Sequence, residues 1–148
     1  MQPLDGSETL VIDCSVTMAW YFKDEASPYT NAVRAALATG RAAVPALWPL
    51  EVANVLLMGE RRKRSTQAQA TRWLRLLSAL PIAVDTQTPD LAFHPILDLA
   101  RSHKLTAYDA AYLELAMRLG VPLAARDDAL EKAAQAVGVT LFTPGGAS

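Results

Sequence analysis

Short apolar runs alternate with longer stretches of helical periodicity along this chain, separated by Pro, Gly or polar breaks. Leu10, Val11 and Ile12 make the first run, which predicts a strand over 9–13. Further runs predict strands over 42–46, 82–85, 121–125 and 139–142, the first of these weakened by Pro45. Apolar residues at helical spacing predict a short helix from about Val16. Others follow over 31–38 and 49–61, from Thr66 to Pro81, and over 89–103, 107–119 and 129–137. Pro49 suits a first helical position, Thr106 reads as a cap, and Gly40 and Gly120 read as stops. Strands alternating with helices imply βαβ units. The expected fold is a three-layer α/β/α domain around a parallel sheet of four to five strands. No internal repeat or linker composition interrupts the pattern. One domain over 1–148 is expected, with 1–7 and 143–148 as flexible polar ends.

In an open parallel sheet, ligands bind beyond the carboxyl ends of the strands, where strand order reverses. Asp13 and Asp127 follow apolar runs and fall at such ends; Glu51 and Asp109 fall in first turns of helices. Each acid also has a structural reading. Asp13 suits a helix N-cap, a role Ser15 can take instead. Glu51 suits the positive end of a helix dipole. The helix around it is apolar on nearly every side, so it should be buried, and Asn54 shares the face of Glu51 at i, i+3, which points to a polar cavity. Asp109 completes the capping-box pattern Thr106-Ala107-Tyr108-Asp109, with Tyr112 on its core-facing side. Asp128 with Glu131 is a second capping-box candidate that leaves Asp127 free, and Arg126 can pair with either Asp.

Charge and composition narrow the chemistry. A net charge of −1, with 51% hydrophobic and 20% charged residues, describes a folded globular chain rather than a disordered one or a generally basic nucleic-acid binder. A single Cys14 excludes an internal disulfide, and the first residues carry Asp5 and Glu8 rather than a basic leader, so a cytoplasmic protein is expected. No apolar run approaches the roughly 20 residues of a membrane helix. Two carboxylates about 4 Å apart repel by about 4 kcal/mol at an effective dielectric of 20, so a cluster of such acids calls for a cation. Oxygen-only donors select Mg²⁺ or Mn²⁺, and no Cys/His pairing suggests zinc. The basic run Arg61, Arg62, Lys63, Arg64 reads as a solvated helix end, or else as a contact for RNA backbone or an acidic partner. Trp48, Trp73, Tyr21 and Phe22 read as core or partner surface, His94 and His103 as surface or capping residues, and Cys14 as a small core side chain.

The motifs Val11-Ile12-Asp13-Cys14-Ser15, Pro45 through Glu51 to Asn54, Leu105-Thr106-Ala107-Tyr108-Asp109 with Tyr112, and Leu123 to Asp127 span most of the chain. Together they resemble the PIN-domain ribonucleases, and within them the VapC-type toxins of bacterial toxin–antitoxin pairs. The resemblance implies a PIN-like fold and an endoribonuclease dependent on Mg²⁺ or Mn²⁺. It makes Asp13, Glu51, Asp109 and Asp127 the catalytic metal ligands, with Ser15, Asn54 and Thr106 in support. It also implies an RNA substrate, a homodimer and a cognate VapB-type antitoxin. The chain departs from the family's pattern at Ala125, where Thr or Ser often stands, and in a longer segment before Leu10.

Two other functions compete. A non-catalytic PIN-like interaction module would keep the fold and lose the metal. A phosphatase with Asp13 as nucleophile would need a second Asp two positions on, where this chain has Ser15.

Overall fold

The Leu10–Ile12 run is buried along its whole length, as a strand covered on both faces requires. In this computed structural model, which describes residues 1–145, it is the second of five strands. They are β1 (Gln2–Pro3), β2 (Leu10–Ile12), β3 (Ala42–Val44), β4 (Ile82–Val84) and β5 (Leu123–Ala124). They pair in the order β1-β4-β3-β2-β5, and every pairing is parallel. The helices are α1 (Cys14–Met18), α2 (Pro28–Ala36), α3 (Trp48–Arg61), α4 (Gln67–Ser78), α5 (Thr88–Leu91), α6 (Leu97–His103), α7 (Ala107–Leu119) and α8 (Asp128–Ala136). They cover both faces of the sheet in a three-layer α/β/α arrangement, as the alternating pattern predicts. From β2 the chain steps through β3 to β4, then returns to the far side of β2 as β5. That reversal puts a switch point at the carboxyl ends of β2 and β5.

Helix α7 lies across β2, β3 and β5, and its residues 110–116 are buried without interruption. Thr106 caps it through the Asp109 amide, and Gly120, at φ 67°, ends it in the left-handed region. Capping boxes start α2 (Ser27 with Thr30) and α4 (Thr66 with Gln69). Helix α2 starts at Pro28, three residues before the predicted position, because proline preceded by a Ser cap is a favoured start. Close packing fixes the end of α3: a side chain at Gly59 would meet the Phe22 ring at 2.9 Å.

Four expectations from the sequence need correction. Residues 1–7 are not simply a tail: Gln2 and Pro3 add a parallel strand to β4. They are held by Arg41, which donates to the Pro3 carbonyl at 3.0 Å and pairs with buried Glu8 at 3.1 Å. The strand expected over 139–142 shrinks to one bridge, Leu123 to Leu141. The helix expected over 89–103 is split by the π-helical Ala92–Ile96, because Pro95 has no N–H with which to continue the α ladder. Helix α3 is not buried all round, for it exposes Leu50 (76%) and Leu57 (42%). Of the end expected to be flexible, 146–148 lie outside the described residues.

Candidate active site

Asp13 directly follows β2, and its amide donates to the Ala124 carbonyl of β5 at 3.1 Å, which ties it to the switch point. Its side chain caps α1 by accepting from the Val16 amide at 2.9 Å. Ser15 does not replace it as cap. The Ser15 hydroxyl instead donates to both carboxylate oxygens of Asp13, at 2.9 and 3.0 Å. Asp127 likewise caps α8, accepting from the Leu130 amide at 3.0 Å. The expectation that Asp128 takes that cap is wrong: Asp127 has the extended backbone of a cap, and Asp128 is already helical.

Glu51 stands in the first turn of α3 and accepts a 2.5 Å hydrogen bond from the Tyr112 hydroxyl of α7. Asn54 is exposed one turn further on and its side chain forms no hydrogen bond among the described residues, so the expected polar cavity is not built there. Asp109 receives only half of the expected capping box. Thr106 Oγ accepts from the Asp109 amide at 3.1 Å, but the Asp109 carboxylate returns no bond. Arg126 pairs with neither Asp127 nor Asp128. It donates to the carbonyls of Glu25 and Ser15, at 3.1 Å each, and so braces the turn beside Asp13.

The charges interact. Burial pushes the Asp13 carboxyl up from 3.8 to about 6, and the Asp109 charge adds to the rise, while the Val16 amide, Ser15 and Arg126 oppose it. Burial raises Glu51, the Tyr112 hydrogen bond opposes this, and Asp109 again adds to it. Asp109 is itself raised by burial and by Asp127. Asp109 is therefore the hub through which the other three acids sense one another. Cys14, buried beside Asp13, is pushed up to about 12, first by burial and then by Glu51 and Asp13, so its thiol is no nucleophile at neutral pH.

With the side chains as they stand, no three His, Cys, Asp or Glu groups among the described residues gather closely enough to hold one metal ion. The donor chemistry nonetheless fits a hard cation. Among the described residues the Asp109 carboxylate accepts no hydrogen bond, Glu51 and Asp127 each keep one oxygen without a donor, and Oδ2 of Asp13 accepts only from Ser15. Mg²⁺ keeps several waters and needs only one or two direct carboxylates.

Two residues of the site do not stand out as site residues in the sequence: Tyr112, which holds Glu51, and Arg126, which holds the Ser15 turn. Tyr112 was detectable, since it is three residues beyond Asp109 on one helical face, and a buried tyrosine hydroxyl needs a polar partner. Arg126 was not, because its partners are backbone carbonyls.

The PIN domain family model matches residues 10–136, and the chain belongs to that family. PIN domains are in general nucleases. Among solved structures the chain is similar to PAE2754 from Pyrobaculum aerophilum, with 23% identity over 86% of this chain and 80% of that one and a TM-score of 0.62. It is also similar to FitAcB from Neisseria gonorrhoeae, with 18% identity over 94% of this chain and 100% of that one and a TM-score of 0.56. At those identities the likeness concerns the fold. No match was found among curated proteins.

Proposed function

We propose that this protein is a divalent-metal-dependent endoribonuclease and the toxin of a type II toxin–antitoxin pair. The observation that carries the reading is the edge of partly desolvated carboxylates around Asp109, none of them in an ion pair among the described residues and only Asp13 eased by the charge of Arg126, in a chain of the PIN family. Asp13, Glu51, Asp109 and Asp127 would hold Mg²⁺ or Mn²⁺. When bound, the ion supplies positive charge to the scissile phosphodiester and makes water acidic enough to attack near neutral pH. The chain's own groups set the donors. Ser15 and the Val16 amide fix Asp13, Tyr112 fixes Glu51, and Thr106 holds the turn that carries Asp109. Asn54 lies exposed one turn beyond Glu51, where its amide would be free to contact the RNA.

The same reading includes a homodimer and a VapB-type antitoxin in the cytoplasm. It is supported by apolar side chains left in water: Leu50 on the helix that carries Glu51, and Phe93, 83% exposed. No helix among the described residues is long and apolar enough to cross a membrane. The phosphatase reading loses ground, because the Ser15 hydroxyl is spent on Asp13 and no acid replaces it. The non-catalytic module has one observation in its favour, the looseness of the acid cluster.

The deciding experiment maps RNA ends after induction of wild type and Asp13→Asn, alongside calorimetry with Mn²⁺. New ends in the wild type only, with Mn²⁺ bound, support the nuclease. Identical ends in both strains sink it, and partner binding without Mn²⁺ binding favours the module.

A further inference from the structure

A second feature of the molecule stands apart from the acids. Residues 61–75 carry six of the chain's fourteen cations (Arg61, Arg62, Lys63, Arg64, Arg72 and Arg75) and no carboxylate. Only Arg64 among them is engaged. Its guanidinium lies 3.9 Å from the centre of the Phe22 ring and pairs with Asp24 and Glu25 at 3.0 Å. The others are exposed and form no ion pair among the described residues.

Arg64 and Arg72 border a groove of about 740 Å³ walled by Trp20, Tyr21, Phe22 and Trp73. Tyr21 and Trp73 pack with ring centres 4.9 Å apart. The hydroxyls of Tyr21 and Ser65 are buried behind this wall without a hydrogen-bond partner among the described residues, and the half-buried rings of Tyr21 and Trp73 are the part of it that meets solvent. Arg72 also borders a neighbouring surface lined by Gln67, Thr71 and Arg75. Its other border is Lys23 and Asp24, on the turn Lys23–Glu25, where Arg64 offsets the carboxylates of Asp24 and Glu25. Arg64 holds Glu25 from the groove side, and Arg126 ties the Glu25 carbonyl to that of Ser15, two residues from Asp13.

Aromatic rings beside a row of unpaired cations suit one chemistry above others: a flexible polyanion whose bases can unstack. We propose that this groove is an exosite for single-stranded RNA. It stacks bases on the Trp73 and Tyr21 side, runs the phosphates along Arg72, Arg75 and the 61–63 cations, and delivers the strand across the Lys23–Glu25 turn to the acids. The inference rests on the nuclease reading and adds to it where the strand enters. Stacking is tolerant of sequence, so the exosite selects for unpaired RNA rather than for a base order.

The test uses the full chain carrying Asp13→Asn, so that bound RNA stays intact, and a fluorescent oligouridylate read by anisotropy. Arg72 is exposed, and Arg72→Glu should keep the far-ultraviolet dichroism of the parent. It should weaken oligouridylate binding about tenfold at low salt and flatten the log–log salt slope by about one. Oligouridylate should quench tryptophan emission, and an RNA duplex of equal length should bind more weakly. Unchanged binding by Arg72→Glu overturns the exosite even if the wild type cuts RNA. Displacement of the oligonucleotide by a short glutamate-rich peptide of higher affinity overturns it in favour of a protein partner. RNA held through Arg72 yet left uncut by the wild type with Mg²⁺ keeps the exosite and removes the nuclease reading.

Discussion

Two strands of this sheet end in a buried aspartate, and the two aspartates live under opposite electrostatics. Asp85, after β4, is 2% exposed and bonded at 2.6 Å to Arg118, whose guanidinium also grips Glu114 at 2.9 Å. The Gln87 amide and the Thr88 hydroxyl donate to it as well. Asp13, after β2, is 5% exposed and has only an amide, one serine hydroxyl and a distant Arg126 against its burial and the Asp109 charge. A carboxylate taken out of water must be paired, protonated or metal-bound. The Asp85 group is paired, so it acts as a clamp between β4 and α7. The Asp13 group forms no ion pair among the described residues, and on the nuclease reading a metal ion takes that place.

Removing charge from each region should separate them. The largest effect belongs to the acid edge: Asp109→Asn or Asp13→Asn should lower RNA cleavage about a thousandfold, since a metal contributes several kcal/mol to the reaction and each 1.4 kcal/mol is tenfold. Initial rates on a labelled RNA, with and without chelator, check this; full activity in either variant would dissolve the contrast. At the clamp, Arg118→Met leaves two buried carboxylates unpaired and should cost about 3–5 kcal/mol of stability, read by urea unfolding. If Arg118→Met proves neutral, Asp85 is no better paired than Asp13, and burial alone cannot tell structure from site.

The raised carboxyl of Asp13 makes its contribution to stability depend on pH. In the metal-free chain its carboxyl holds a proton up to about pH 6, against 3.8 ordinarily. Across that window the folded state binds the extra proton, so the Asp13 contribution to stability falls as pH rises and levels off above about 6. The total loss is roughly 3 kcal/mol, since a tenfold change in proton affinity is worth about 1.36 kcal/mol. Asp13→Asn keeps an N-cap while discarding the charge, so at pH 7 in chelator it should be more stable than the wild type by up to about that amount. Urea midpoints at pH 4, 5, 6 and 7 for both chains test this, and parallel curves refute it.

The sequence makes the sheet and the acids legible for the same reason. Uniformly apolar runs such as Leu10 to Ile12 admit little but a buried strand, and a polar residue closing such a run has to sit at the sheet's edge. That rule does not separate Asp13 from Asp85, which also closes an apolar run, because the cation that tames Asp85 comes from a helix 33 residues later. The cap of α8 is illegible for a local reason: which of Asp127 and Asp128 is helical depends on where β5 stops, a matter of one residue of backbone. The exposed face of α3 is invisible because apolar periodicity reports which residues avoid water, not whether the isolated chain supplies their cover.

The smallest effect probes how the two regions meet on one helix. Helix α7 carries both Arg118, which joins the clamp, and Tyr112, whose hydroxyl meets Glu51 at the acid edge. Tyr112→Phe removes that donor and leaves the ring, the packing and the clamp in place. A single hydrogen bond to a carboxylate contributes about 1.5–3 kcal/mol, part of which returning water replaces, so cleavage should fall about tenfold with little change in the urea midpoint. Glu51 then loses the interaction that lowers its pKa while keeping its burial and the Asp109 charge, so its carboxyl should titrate higher still. The acid limb of the pH–rate profile should therefore move to higher pH. A tenfold loss without that movement would show that the Tyr112 hydroxyl does not act through the protonation of Glu51.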